Sequence, residues 1–158
     1  MYKTLLDIRS TIIPADRHVH LVHRFALPQG ISKLVITFAY SPKKLEDMTR
    51  INELVVSAVE RYVEADSRMA AYGNPDYGLL HNLLTVSLDD PAGFRGAAHR
   101  PSPEQKIFLA ESEATPGFLA GPLPSGLWEL TISLHEIVTD TCQFHLQVQS
   151  EEERRAGV

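Results

Sequence analysis

Four stretches of this chain alternate apolar and polar residues with a period of two, and that alternation limits the fold more than anything else in the sequence. Successive side chains of a strand point to opposite faces, so each such stretch reads as a strand with one buried face. Between Arg17 and Leu27, Val19, Leu21, Phe25 and Leu27 share one face, and His18, His20, Val22 and Arg24 share the other. Leu34, Ile36, Phe38 and Tyr40 alternate with Lys33, Val35, Thr37 and Ala39 until Pro42 ends the run. Trp128, Leu130, Ile132 and Leu134 alternate with Glu129, Thr131, Ser133 and His135. Cys142, Phe144, Leu146 and Val148 alternate with Thr141, Gln143, His145, Gln147 and Gln149. Leu80 to Leu88 and Lys106 to Glu111 add two shorter strand signals. The few polar residues around Thr139-Asp140 predict a hairpin between the last two strands.

One segment changes period. Ile51, Leu54, Val55, Ala58, Val59, Tyr62 and Val63 recur at spacings of three and four, which predicts an amphipathic helix from about Met48 to Ala71. Gly73-Asn74-Pro75 supplies its stop. Strands that do not alternate with helices argue against a parallel α/β sheet. The pattern predicts an all-β fold, an antiparallel β-sandwich with one inserted helix, and an antiparallel barrel is the nearest alternative. A length of 158 residues fits one domain, 1–158, with a frayed charged tail over 151–158.

Charge and motifs exclude several functions. Fifteen Lys+Arg against twenty Asp+Glu give a net charge of -5, a poor balance for a protein that must neutralise phosphates, so no nucleic-acid partner is expected. Asp7 and Arg9 interrupt the first apolar run, and no stretch has the length of a membrane span, so the expectation is a cytoplasmic protein with no membrane partner. The single cysteine, Cys142, excludes an internal disulfide and reads as a small buried hydrophobe. There is no phosphate-binding glycine loop, no dinucleotide fingerprint and no nucleophile elbow, so no cofactor and no catalytic residue are assigned.

The candidate sites are local. Eleven of the nineteen glycines and prolines lie between Pro91 and Gly126, which predicts long loops at one end of the domain. Thr115-Pro116-Gly117-Phe118 there fits a type II turn. Within Phe94-Arg95-Gly96-Ala97-Ala98-His99-Arg100, the residues Arg95, His99 and Arg100 form a candidate site for a carboxylate or phosphate; the alternative is that Arg95 braces its own loop. Asp89-Asp90 is a weak calcium candidate, or a turn capped by aspartate and fixed by Pro91. His18 and His20 share a strand face and are weak zinc candidates that need a third ligand from His81, His99, His135 or His145. Trp128 lies on the apolar register and reads as core.

Three of these segments together carry a family likeness: Asp90-Pro91, Phe94-Arg95-Gly96, and the run from Ala114-Thr115-Pro116-Gly117-Phe118 to Gly126-Leu127-Trp128-Glu129. They resemble the N-terminal accessory region of CehA/McbA-type metallohydrolases, as does Phe25-Ala26-Leu27-Pro28-Gln29-Gly30. The resemblance implies a jelly-roll-like arrangement of the sandwich. In that family a metal-dependent PHP phosphoesterase domain follows, opening with a His-x-His element. Here the chain ends at Val158, about where that half begins, so no metal ligand carries over to any position. The expected function is therefore a non-catalytic binding or interaction module, with a protein partner or self-association. The alternatives are a free-standing small-ligand or carbohydrate-binding protein and a metal-dependent hydrolase built on a histidine cluster.

Overall fold

The computed structural model describes residues 1–45, 48–62, 80–100 and 102–153. Among them, eight strands form two four-stranded antiparallel sheets. The strands are β1 (Tyr2–Ile12), β2 (His20–Leu27), β3 (Ile31–Ser41), β4 (Leu83–Asp90), β5 (Gly93–Ala98), β6 (Glu104–Ala110), β7 (Gly126–Glu136) and β8 (Cys142–Glu152). One sheet has the order β1-β8-β3-β6, the other β2-β7-β4-β5. Strands 1 and 8, 2 and 7, 3 and 6, and 4 and 5 pair antiparallel. This nesting is that of one long hairpin rolled up on itself, so the sandwich is a jelly roll rather than a barrel.

The predicted inward faces of β3, β7 and β8 are the observed ones, and Phe25 and Leu27 of β2 are buried as expected, whereas Val19, which precedes β2, is exposed. Leu34, Ile36, Phe38 and Tyr40 of β3, Trp128, Leu130, Ile132 and Leu134 of β7, and Cys142, Phe144, Leu146 and Val148 of β8 are all buried in one core. Phe25 stacks on Trp128 with ring centroids 6.1 Å apart. Each fully buried Leu or Ile here contributes about 1.5–3 kcal/mol through burial.

The hairpin expected between β7 and β8 does not form, because the two strands lie in different sheets. Alternation identifies the buried face of a strand but not its hydrogen-bonded neighbour. The link crosses from one sheet to the other, with Ile137, Val138 and Thr139 buried. Asn82 holds it there. Its side-chain carbonyl accepts from Val138 N–H (2.7 Å) and Thr139 N–H (3.4 Å). Its amide donates to Pro42 O and to Thr139 Oγ1, both at 2.8 Å.

Two strands lie where none was expected. β1 pairs with β8 from Tyr2 to Ile12 as a sheet edge, with a bulge between Thr4 and Leu6. β5 occupies the segment expected as a glycine loop. The helix, α1 (Met48–Tyr62), begins where its periodicity predicts, with Ile51 and Val59 buried. The rest of the expected helix, its Gly73-Asn74-Pro75 stop and residues 154–158 of the tail lie outside the described residues, while Glu151 and Glu152 belong to β8.

His23 takes an inward register on β2, and its Nε2 is buried without a hydrogen-bond partner. Burial holds its pKa below the ordinary value of 6.5. The unfolded chain then binds a proton below about pH 6.5 that the folded chain resists, so stability falls as the pH drops from that value toward the folded pKa. The urea midpoint is expected to decline over that range in the wild type and to decline less in His23→Leu. Equal declines in the two proteins would show that His23 is not a source of the pH dependence.

Candidate functional site

The loop segment singled out in the sequence is a brace. Arg95 sits on the inward face of β5, its guanidinium 5.4 Å from the Trp128 ring. Nε and Nη2 donate to Leu119 O at 3.1 and 3.0 Å, Nη2 also to Gly121 O at 3.3 Å, and Nη1 to Pro122 O at 2.7 Å and the Asp90 carboxylate at 3.0 Å. A guanidinium has five N–H donors, and all five are used within the chain. Of the two roles weighed for Arg95, its contacts fit the brace. Arg100 donates to Pro116 O in the same loop.

Backbone geometry explains the glycines of this unit. Ala97 N–H donates to Gly117 O and Leu119 N–H to Arg95 O, so residues 117–119 run along β5. A Cβ on Gly96 would stand 2.5 Å from the Phe118 Cα, closer than any real contact. The type II turn predicted at 115–118 is present, with Gly117 at φ +95° and Phe118 N–H bonded to Thr115 O. The segments that carry the family likeness thus form one contiguous structure, the clamp that closes this end of the sandwich.

Asp90 has a structural role as well. Oδ1 accepts from the N–H groups of Ala92 (2.6 Å) and Gly93 (3.0 Å), while Oδ2 holds Arg95. Asp89 faces outward beside Glu129 in the β4–β7 register. Cys142 is buried, and burial pushes its thiol up, away from the thiolate a nucleophile requires.

The weak zinc candidates fare differently. The β2–β7 register sets His20 opposite Ser133, and the β4–β7 register sets Thr85 on the other side of Ser133. His18 lies one step beyond His20, where its N–H donates to Leu134 O. His99 follows the end of β5, with its ring 6.4 Å from that of His135. Four of the seven histidines, His18, His20, His99 and His135, therefore share one end of the outer face of the β2-β7-β4-β5 sheet. Among the described residues, no three histidine, cysteine or acidic side chains are placed so that they could hold a metal ion.

A different surface offers a cavity. On the outer face of the other sheet, Arg9, His145, Ala39 and Glu104 form one cross-strand row through β1, β8, β3 and β6. Ala39, the small member of the row, leaves a depression of about 620 Å³ bounded by Arg9, Thr11, Ser41, Glu104, Gln143 and His145. A second recess over Thr37, Glu104 and Lys106 continues it. Across the sheet, Arg9 and Glu104 stand three strand spacings apart, about 14 Å. His145 Nε2 meets Asp7 Oδ1 at 2.7 Å. The glutamine ladder of β8, Gln143, Gln147 and Gln149, lies on the outward register, and Gln143 lines the trough. That ladder was readable as the polar register of β8, whereas the contributions of β1 and β6 required the sheet order.

No protein-family model matches the chain, and comparison with curated proteins returns no relative. No helix among the described residues is long and apolar enough to cross a membrane.

Proposed function

We propose that the protein is a non-catalytic β-sandwich binding module, of the kind that accompanies the PHP-type metallohydrolases it resembles, and that it holds a polar, hydroxyl-bearing ligand in the trough across β1, β8, β3 and β6. The observation that carries this reading is the trough itself. It is lined by Arg9, Glu104 and Gln143 around the small residue Ala39. Such a lining presents both donors and acceptors, which a hydroxyl needs because it is both at once. The outer face of the opposite sheet supports the reading by contrast. Its exposed apolar residues Val22, Phe94 and Leu127 are separated by the Arg24–Glu129 pair and Asp89, so they make no continuous hydrophobic patch for a protein partner. The loops between Pro91 and Gly126, the expected place for a small-ligand site, are occupied by the Arg95 clamp.

The test uses a panel of soluble oligosaccharides, read first on an array and then by calorimetry. Ala39→Trp fills the trough from the outer face without touching the core. Binding to at least one glycan is expected, with at least about a tenfold loss in Ala39→Trp, since each 1.4 kcal/mol is tenfold in affinity, and an unchanged melting temperature. A panel with no hits, or a hit indifferent to Ala39→Trp, overturns the proposal.

A further inference from the structure

We propose that two copies of this chain associate through β1, edge to edge and antiparallel, so that two four-stranded β1-β8-β3-β6 sheets join into one of eight strands. The register sets Ile8 opposite Ile8 of the second copy, and Asp7 of each copy opposite Arg9 of the other. No ligand in the trough is required.

Of the four sheet edges, β1, β6, β2 and β5, two are covered by the chain itself. Along β5, Ala97 N–H donates to Gly117 O and Leu119 N–H to Arg95 O. Along β6, Thr115 N–H donates to Phe108 O and Ala110 N–H to Glu113 O. The β1 edge is open. β1 pairs with β8 on one side, and among the described residues no hydrogen bond reaches its backbone from the other. An open row of N–H and C=O groups is a template for another strand. The apolar side chains of β1 show the same gap. Leu6 and Ile8 stand opposite Val148 and Leu146, which are fully buried, yet are themselves only partly buried, because no strand covers their far side.

Parity and charge select the occupant and the register. Side chains of a strand alternate faces, so a β1 residue stands opposite a residue of the same face in the second copy, and the two-fold axis passes through one residue. A bulge between Thr4 and Leu6 breaks the ladder, which leaves Leu6 to Ile12 as the regular part of the edge. An axis through Asp7 would set two carboxylates face to face, and an axis through Arg9 two guanidinium groups; like charges directly opposite are destabilising. Within the regular part, only an axis through Ile8 sets both charges against their opposites, and symmetry makes that ion pair twice. It also lays Ile8 beside its twin. Both charges are exposed and available. Asp7 meets His145 Nε2 through Oδ1, while Asp7 Oδ2 and the Arg9 guanidinium have no partner among the described residues. β2, the remaining edge, carries His20, His23 and Arg24 and no acid, so it offers no such self-match.

Sedimentation velocity of the full chain across a concentration series tests the contact. A reversible monomer–dimer equilibrium is expected. Asp7→Arg and Arg9→Asp are each expected to weaken the dimer at least about tenfold, since each replaces two attractive pairs by two repulsive ones. Asp7→Arg combined with Arg9→Asp restores opposite charges across the axis and is expected to return to within about threefold of the wild type. Amide hydrogen exchange reads the contact with no substitution at all. As concentration rises, exchange within Leu6 to Ser10 is expected to slow at alternate residues, because the amides between them already point at β8. A chain still monomeric at about 1 mM, a dimer indifferent to both charge reversals, a double variant as weak as the single ones, or slowing confined to another strand overturns the proposal.

Discussion

Replacing Arg95 with alanine is expected to lower the unfolding free energy by about 3–5 kcal/mol, the range for removing one partner of a buried ion pair. The side chains of Arg95 and Asp90 are each only 8% exposed. Loss of the guanidinium leaves the Asp90 carboxylate without its countercharge and takes a donor from Leu119 O, Gly121 O and Pro122 O. It also uncovers the Trp128 ring that the guanidinium lies against. Arg95→Lys is expected to recover only part of the loss, because an ammonium is a point donor that cannot span three carbonyls and a carboxylate. Urea unfolding measures the effect, and limited proteolysis locates it, with new cleavage expected in the region 111–125. A midpoint equal to the wild type would mean that the clamp is held by the backbone rungs of β5 alone.

Asn82→Ala is expected to cost about 3 kcal/mol. Asn82 is fully buried between the end of β3 and the β7–β8 link. Its side chain satisfies Val138 N–H, Thr139 N–H, Pro42 O and Thr139 Oγ1 together. A buried polar group left unpaired costs about 1–3 kcal/mol, and partial relaxation keeps the sum below the simple total. Asn82→Asp is the informative comparison. It keeps an acceptor for the two N–H groups but points an oxygen at Pro42 O, so it is expected to fall well short of the wild-type midpoint at neutral pH. An aspartate variant as stable as the wild type would show that the amide donor is dispensable.

Both predictions concern residues whose importance is hard to see in one dimension. Arg95 was visible as a charged residue on a glycine-bearing segment, and charge on a loop suggests a ligand. What the sequence does not display is that Phe94-Arg95-Gly96 forms a strand edge and that 117–119 lies along it. That contact depends on Gly96 and Gly117, whose missing Cβ atoms let two backbones approach. The histidines show the same limit. His18 and His20 were readable as neighbours on one face, but His135 joins them through the pairing of β2 with β7, and His99 through the pairing of β7 with β4 and β4 with β5. β1 is hard to read in the sequence because an edge strand buries little: Leu6, Ile8 and Ile12 are spaced correctly but sit among exposed polar residues.

The sequence by itself determined which residues face the core. A period of two has only one buried phase, and Leu34, Ile36, Phe38 and Tyr40, like Trp128 to Leu134 and Cys142 to Val148, can hide their apolar surface only by pointing the same way. It determined the helix start near Met48 and the turn at Thr115-Pro116-Gly117-Phe118, because those signals are local. Only the tertiary structure decided which strands are neighbours. Every strand offers the same backbone donors and acceptors, so pairing is chosen by how eight inward faces close over a single core. That closure separated β7 from β8, brought Arg9 and Glu104 into one row with His145, and gathered four distant histidines at one end of a sheet.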